Sequence, residues 1–168
     1  SVAERLTVHD IHRPGAASVS TRHPIHIRIQ PHMPRDTLAY YDPVDNAIAF
    51  ESDDVLENVI GRAMAVHECV HTLFDVARSR ISGLDNELAA YLAESWYLLA
   101  AEAIIPASLI PEDILQTARS LRAAPGSTLS RRTGHALYPA MRTLGYHRGN
   151  TQYSAHDGIP IGRTHRQH

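Results

Sequence analysis

Two long helical patterns joined by a short break constrain the fold of this 168-residue chain more than any other feature. The first pattern runs from about Asp54 to Arg78, and the second runs from about Leu84 to Ile104. Ser82 precedes Asp85 by three residues, which is typical of a capping box at a helix start. Because the break at residues 81–83 is short, the second helix must fold back against the first. We therefore expect an antiparallel helical hairpin at the centre of the fold.

The residues before this hairpin have the patterns of strands. Apolar and polar residues alternate from Pro24 to Gln30, which indicates a half-buried strand. Two further runs, Thr37–Tyr41 and Ala47–Glu51, flank a turn at residues 42–46 that is rich in Asp, Asn and Pro, and they predict a β-hairpin. We expect an α+β fold, mainly helical, with a small N-terminal β-hairpin or sheet packed beside the first long helix.

Three boundaries complete the predicted secondary structure. Ser52 or Asp53 is expected to cap the first long helix, because acidic residues follow in its first turn. A third helix is predicted from about residue 110 to 123, and a fourth from 129 to 144. The length suits a single domain over residues 1–148, with an extended or flexible tail over residues 149–168.

The composition limits the environment and the partners of the chain. The longest apolar stretch, Trp96 to Ile105, is interrupted by Glu102 and is too short for a membrane span. Residues 119–168 carry eight arginines against the single acid Asp157, but the arginines are dispersed and no nucleic-acid motif accompanies them. We therefore expect neither a membrane nor a nucleic-acid partner. The oligomeric state stays open.

Cys69 is the only cysteine, so no disulfide can form within the chain. This feature and the lack of a visible signal peptide slightly favour the cytoplasm, although the compartment stays open. Cys69 lies two residues from each of two histidines, so it points to the far side of the helix. We expect a buried structural thiol there and not a metal ligand.

The first long helix contains the run His67-Glu68-Cys69-Val70-His71, an HExxH motif. Residues four apart lie on one face of a helix, so both imidazoles can reach one metal ion. Glu68 then lies beside the metal, where a carboxylate can take a proton from a metal-bound water. The alternative is a solvated helix with two surface histidines. Against it, four apolar residues indicate that the helix is largely buried: Val66, Val70, Leu73 and Phe74.

A catalytic zinc ion usually has a third protein ligand. Asp75 lies a full turn beyond His71, so it is better suited to orient a histidine than to bind metal. Glu87 is in the early turns of the second helix, which antiparallel return brings close to His71. Glu94 is about 10 Å farther along the same stripe. We prefer Glu87 as the third ligand and keep Glu94 as the alternative.

The motif followed by Asn86-Glu87-x-x-Ala90 resembles the gluzincin metallopeptidases, and the stretch from Glu87 to Pro106 is loosely similar to the ImmA/IrrE-type metallopeptidases. The resemblance implies a zincin-like domain that binds one Zn²⁺ per chain through His67, His71 and Glu87. Tyr91 stands where some members have an acid that supports a zinc-binding histidine.

These features predict a zinc-dependent peptidase that acts on a peptide or protein substrate, with Glu68 as general base. The alternative is a non-catalytic zinc-binding regulatory or protein-interaction domain on the same scaffold. A peptidase also needs a donor for the developing oxyanion. The sequence leaves four candidates: Tyr91, His135, Tyr138 and His147.

Overall fold

The computed structural model describes residues 25–33, 37–77, 79 and 81–145. Its helices and small sheet confirm the predicted α+β class. The sheet contains β1 (His26–Ile29), β2 (Ala39–Asp42) and β3 (Ala47–Phe50), in the order β1-β3-β2. The predicted tail at residues 149–168 lies outside the described residues, and so does the N-terminal part of the predicted domain, residues 1–24.

The hairpin predicted around residues 42–46 is present. β2 runs antiparallel to β3 with Ala39 opposite Phe50, whereas β1 runs parallel to β3. The Asp42 carboxylate accepts hydrogen bonds from the backbone N–H groups of Val44 and Asp45, at 3.0 and 3.3 Å, so it stabilises the turn. β2 forms one edge of the sheet and packs against the long helix that follows.

That helix, α1, spans Val59–Val76, so the prediction that it begins near Asp54 was wrong. A separate 3₁₀-helix occupies Asp53–Glu57, and the side chain of Ser52 forms no cap there. The cap of α1 is Asn58, whose side chain accepts a hydrogen bond of 2.8 Å from the N–H of Gly61. Gly61 is required because a Cβ there would lie 1.8 Å from the carbonyl oxygen of Val55.

The second helix, α2, spans Gly83–Ala100 and ends four residues before the predicted Ile104. The Ser82 hydroxyl accepts a hydrogen bond of 3.1 Å from the backbone N–H of Asp85, so the predicted cap is confirmed. Arg62 near the start of α1 bonds Tyr97 near the end of α2. His71 near the end of α1 lies beside Glu87 near the start of α2. The two helices are therefore antiparallel, as predicted.

The remaining helices complete the core around α2. α3 spans Glu112–Ala123, as expected. The single helix predicted over 129–144 is wrong, because the chain forms α4 (Arg131–Ala136) and α5 (Tyr138–Thr143) with a break at Leu137. Pro139 has no N–H to continue the first helix, which accounts for the break. Within the described residues, no helix combines the length and apolar character needed to cross a bilayer.

Candidate metal centre

Three side chains from the helical hairpin converge on one point. α1 contributes His67 and His71, and α2 contributes Glu87; one ligand atom from each lies within 4.8 Å of the other two. The Glu87 Oε2 atom is 3.4 Å from His67 Nε2 and 3.6 Å from His71 Nε2. Both histidines are buried. The predicted ligands are therefore neighbours, as antiparallel packing of the two helices requires.

The spacing of these atoms suits a small divalent cation. Two ligands that each lie about 2.1 Å from a tetrahedral zinc ion are about 3.4 Å apart. The two Glu87–histidine separations have this size, and both exceed the length of a good hydrogen bond, which is about 2.9 Å. Two imidazole nitrogens and one carboxylate oxygen are also a donor set that zinc accepts.

The other nitrogen of each imidazole is held by α2. His67 Nδ1 is 3.0 Å from Glu94 Oε2, and His71 Nδ1 is 3.1 Å from Asn86 Oδ1. A carboxylate oxygen and an amide oxygen both accept, so each imidazole donates through Nδ1. This arrangement turns both Nε2 atoms toward Glu87 and is how ligating histidines are commonly oriented.

Glu94 and Asn86 therefore have roles that the sequence reasoning did not assign to them. The structure places Glu94 on the Nδ1 side of His67, away from the point where the three donors meet. Asp75, which we expected to orient a histidine, instead accepts a hydrogen bond from the Tyr41 hydroxyl at 2.7 Å. Glu94 follows Glu87 by seven residues, so both lie on one face of α2. This spacing was the sequence signal that could have indicated the role of Glu94.

Glu68 is buried beside His67, His71 and Glu87, on the side that faces the sheet. Its Oε2 atom accepts a hydrogen bond of 2.7 Å from the backbone N–H of Tyr41 on β2. Burial raises the pKa of Glu68 to about 7, although the neighbouring His67 opposes the rise. A carboxylate with a pKa in this range can accept and release a proton near neutral pH.

In the metal-free protein the pKa values of the two histidines are shifted in opposite directions. Burial by itself would lower the pKa of His67, but the adjacent carboxylates of Glu87 and Glu94 outweigh it and raise that pKa to about 10. Burial lowers the pKa of His71. A cation that binds here must therefore displace a proton from His67.

A cleft of about 460 Å³ opens between β2 and α2 and contains the three candidate metal ligands. Of the oxyanion candidates, Tyr91 lines this cleft, with its ring edge-on to His67 at 4.7 Å between centroids. Tyr138 is buried elsewhere, where its hydroxyl donates to Asp85 at 2.6 Å, and His135 lies against the Tyr138 ring. His147 lies outside the described residues.

The expectation that Cys69 is a buried thiol was wrong, because Cys69 is exposed. It does point away from the cleft, as the helix geometry predicts, and the cluster of possible ligands does not include it. Leu73, one turn further on the same face, is 59% exposed. The described residues thus leave one face of α1 open, and Leu73, which we took as one sign that the helix is largely buried, lies on that face.

Comparisons with known proteins found no match among protein-family models, curated proteins or solved structures. The resemblance to gluzincins therefore stays a prediction.

Proposed function

We propose that this protein is a zinc-dependent peptidase of the gluzincin type. The observation that supports the proposal is the convergence of His67, His71 and Glu87 in an open cleft, with the buried carboxylate of Glu68 beside them. Two imidazoles, a ligating carboxylate and a second carboxylate for proton transfer are the groups that metal-assisted hydrolysis requires.

Each residue has a separate task in this proposal. A bound zinc ion would polarise the substrate carbonyl and make a water molecule more acidic. Glu68 would accept a proton from the water as its oxygen bonds the carbonyl carbon, and would pass that proton to the amine nitrogen as the C–N bond breaks. Glu94 and Asn86 hold the two histidines in the orientation that directs Nε2 toward the metal.

The edge of β2 offers a place for an extended substrate. The backbone N–H of Glu51 donates to the carbonyl of Leu38, and the register then makes Tyr40 and Asp42 the residues that bond β3. Ala39 lies between Leu38 and Tyr40, which both bond β3, so its own N–H and carbonyl point away from β3, toward the cleft that it lines. We propose that a peptide main chain pairs with Ala39 in the manner of an added strand.

Peptide hydrolysis by zinc-loaded protein, followed by mass spectrometry on a mixed peptide library, tests this proposal. Glu68→Gln should abolish turnover and retain zinc, because Glu68 moves a proton and does not ligate. Glu57→Gln, the same change at an exposed position, is the matched control and should leave turnover unchanged. Equal turnover in wild type and Glu68→Gln would contradict the assigned role of Glu68.

One observation favours the alternative, a zinc-binding interaction domain. The face of α1 that carries Cys69 and Leu73 is exposed and apolar, and such faces often bind other proteins. In that case zinc would be retained by wild type and Glu68→Gln alike, and no peptide in the library would be cleaved by either protein.

A further inference from the structure

Tyr41 joins the edge strand β2 to α1 at two points. Its backbone N–H donates to Glu68 at 2.7 Å, and its hydroxyl donates to Asp75 at 2.7 Å. Tyr41, Glu68 and Asp75 are all buried. Since Glu68 and Asp75 are seven residues apart, the two contacts are about 10 Å apart along α1, which is two helical turns.

Two hydrogen bonds from Tyr41 restrain β2 on α1 more than one can. One hydrogen bond restrains β2 at a single point of α1, whereas a second bond two turns away also opposes rotation about that point. The N–H of Tyr41 points away from β3, so the sheet does not hold it and Glu68 does. The position of Glu68 in the cleft therefore depends on where Asp75 holds the Tyr41 side chain.

We propose that the Tyr41–Asp75 hydrogen bond positions the general base, by fixing the distance between β2 and Glu68. This inference rests on the proposed function, because it assigns Tyr41 and Asp75 as positioning residues for the proposed reaction. Neither is one of the three candidate metal ligands, and the hydrogen bond from the Tyr41 N–H to Glu68 links them to the site.

Tyr41→Phe tests the inference, because it removes the hydroxyl and retains the ring and the backbone N–H. Amide hydrogen exchange at residue 41, measured by NMR on the zinc-loaded protein, should become at least about tenfold faster. Tyr40→Phe is the matched control. It removes a hydroxyl from the preceding residue of β2, whose side chain lies on the opposite face of the sheet, where it donates to Gln30 and accepts from Arg28. It should leave the exchange of the residue 41 amide unchanged.

The kinetic consequence is a second readout. Tyr41→Phe should lower kcat about tenfold, with KM and zinc content unchanged, because misplacing a catalytic group affects the chemical step. Asp75→Asn retains an oxygen acceptor and should have a smaller effect. The double variant should be no worse than Tyr41→Phe, because without the hydroxyl the acceptor at residue 75 has no hydrogen bond from residue 41 left to lose.

The outcomes separate this inference from the proposed function. If wild type cleaves no peptide, the proposed function fails, and the exchange of the residue 41 amide still decides whether Tyr41 and Asp75 hold β2 against Glu68. Unchanged exchange in Tyr41→Phe would overturn the inference. So would faster exchange in an active enzyme whose kcat matches that of Tyr40→Phe.

Discussion

At the scale of single residues, Glu94 shows how α2 orients a histidine of α1. Its side chain is 3% exposed, and its carboxylate bonds His67 Nδ1 from the turn beyond Tyr91. A buried carboxylate is costly unless it has a partner. The imidazole supplies that partner, and the carboxylate in turn makes the imidazole a better ligand.

Glu94→Gln should therefore weaken zinc binding about tenfold, because the amide can still accept the Nδ1 hydrogen bond but carries no charge. Competition with a chromophoric chelator measures the affinity. Glu57→Gln serves as the control at an exposed site. An affinity equal to that of wild type would show that Glu94 does not support His67.

The raised pKa of His67 predicts how pH affects the metal-free protein. The pKa rises from an ordinary 6.5 to about 10 on folding, so the folded state binds more protons than the unfolded state between these values. This stabilisation is complete below 6.5 and is lost as pH rises through about 10. The free energy of unfolding of chelator-treated protein should thus fall from about pH 7 to about pH 8.5.

Urea unfolding at the two pH values measures this fall. His67→Gln should flatten the dependence, because the titrating group is gone. Zinc-loaded wild type should also lose the dependence on His67, since a ligating imidazole carries no extra proton. A metal-free wild type whose stability rises over this range would contradict the assignment.

At the scale of elements, the start of α1 depends on a contact that is not local. Asn58 caps the helix, and Gly61 lies against the carbonyl of Val55 in the preceding 3₁₀-helix. An exposed helical glycine is normally improved by alanine, by about 1 kcal/mol. Here a methyl group would collide with backbone, which cannot move aside as a flexible side chain can.

Gly61→Ala should lower the free energy of unfolding by about 3 kcal/mol, at the upper end of the usual cost of overpacking. Gly134→Ala in α4 is the matched control, because its Cβ would meet nothing closer than a Leu129 side-chain atom at 3.5 Å. That variant should be neutral or more stable. Equal effects of the two changes in urea unfolding would refute the account of Gly61.

The sequence predicted those elements whose signals are local. Ser82 and Asp85 marked the start of α2, and the Asx-rich turn marked the hairpin, because each depends on residues within one turn. The start of α1 was missed because the Gly61–Val55 contact fixes it. The break at Leu137 had a signal in Pro139, which the helical pattern around it obscured.

At the scale of the whole molecule, the site joins parts that are distant along the chain. Spacing within α1 predicted that His67 and His71 share a face, and the short break predicted that Glu87 meets them. The link from Tyr41 to Glu68 spans 27 residues and could not be predicted, since it depends on how the sheet packs on α1. The open face of α1 was missed for the same reason, because periodicity does not reveal which apolar residues the rest of the fold covers.

Because Cys69 is exposed on that open face, we expect its thiol to take no part in metal binding. Cys69→Ser should leave zinc affinity within about twofold of wild type, because the side chain lies on the opposite side of α1 from the cleft. The same chelator competition measures it. A large loss of affinity would indicate that the thiol contributes to the metal site.

Zinc stoichiometry by native mass spectrometry tests the central claim most directly. Wild type and Glu68→Gln should each carry one zinc ion per chain, and His71→Ala and Glu87→Ala should carry none at the same free zinc concentration. Glu68→Gln is the control for a change within the site that removes no ligand. Wild type without zinc after reconstitution, or Glu87→Ala with a full zinc ion, would contradict the account.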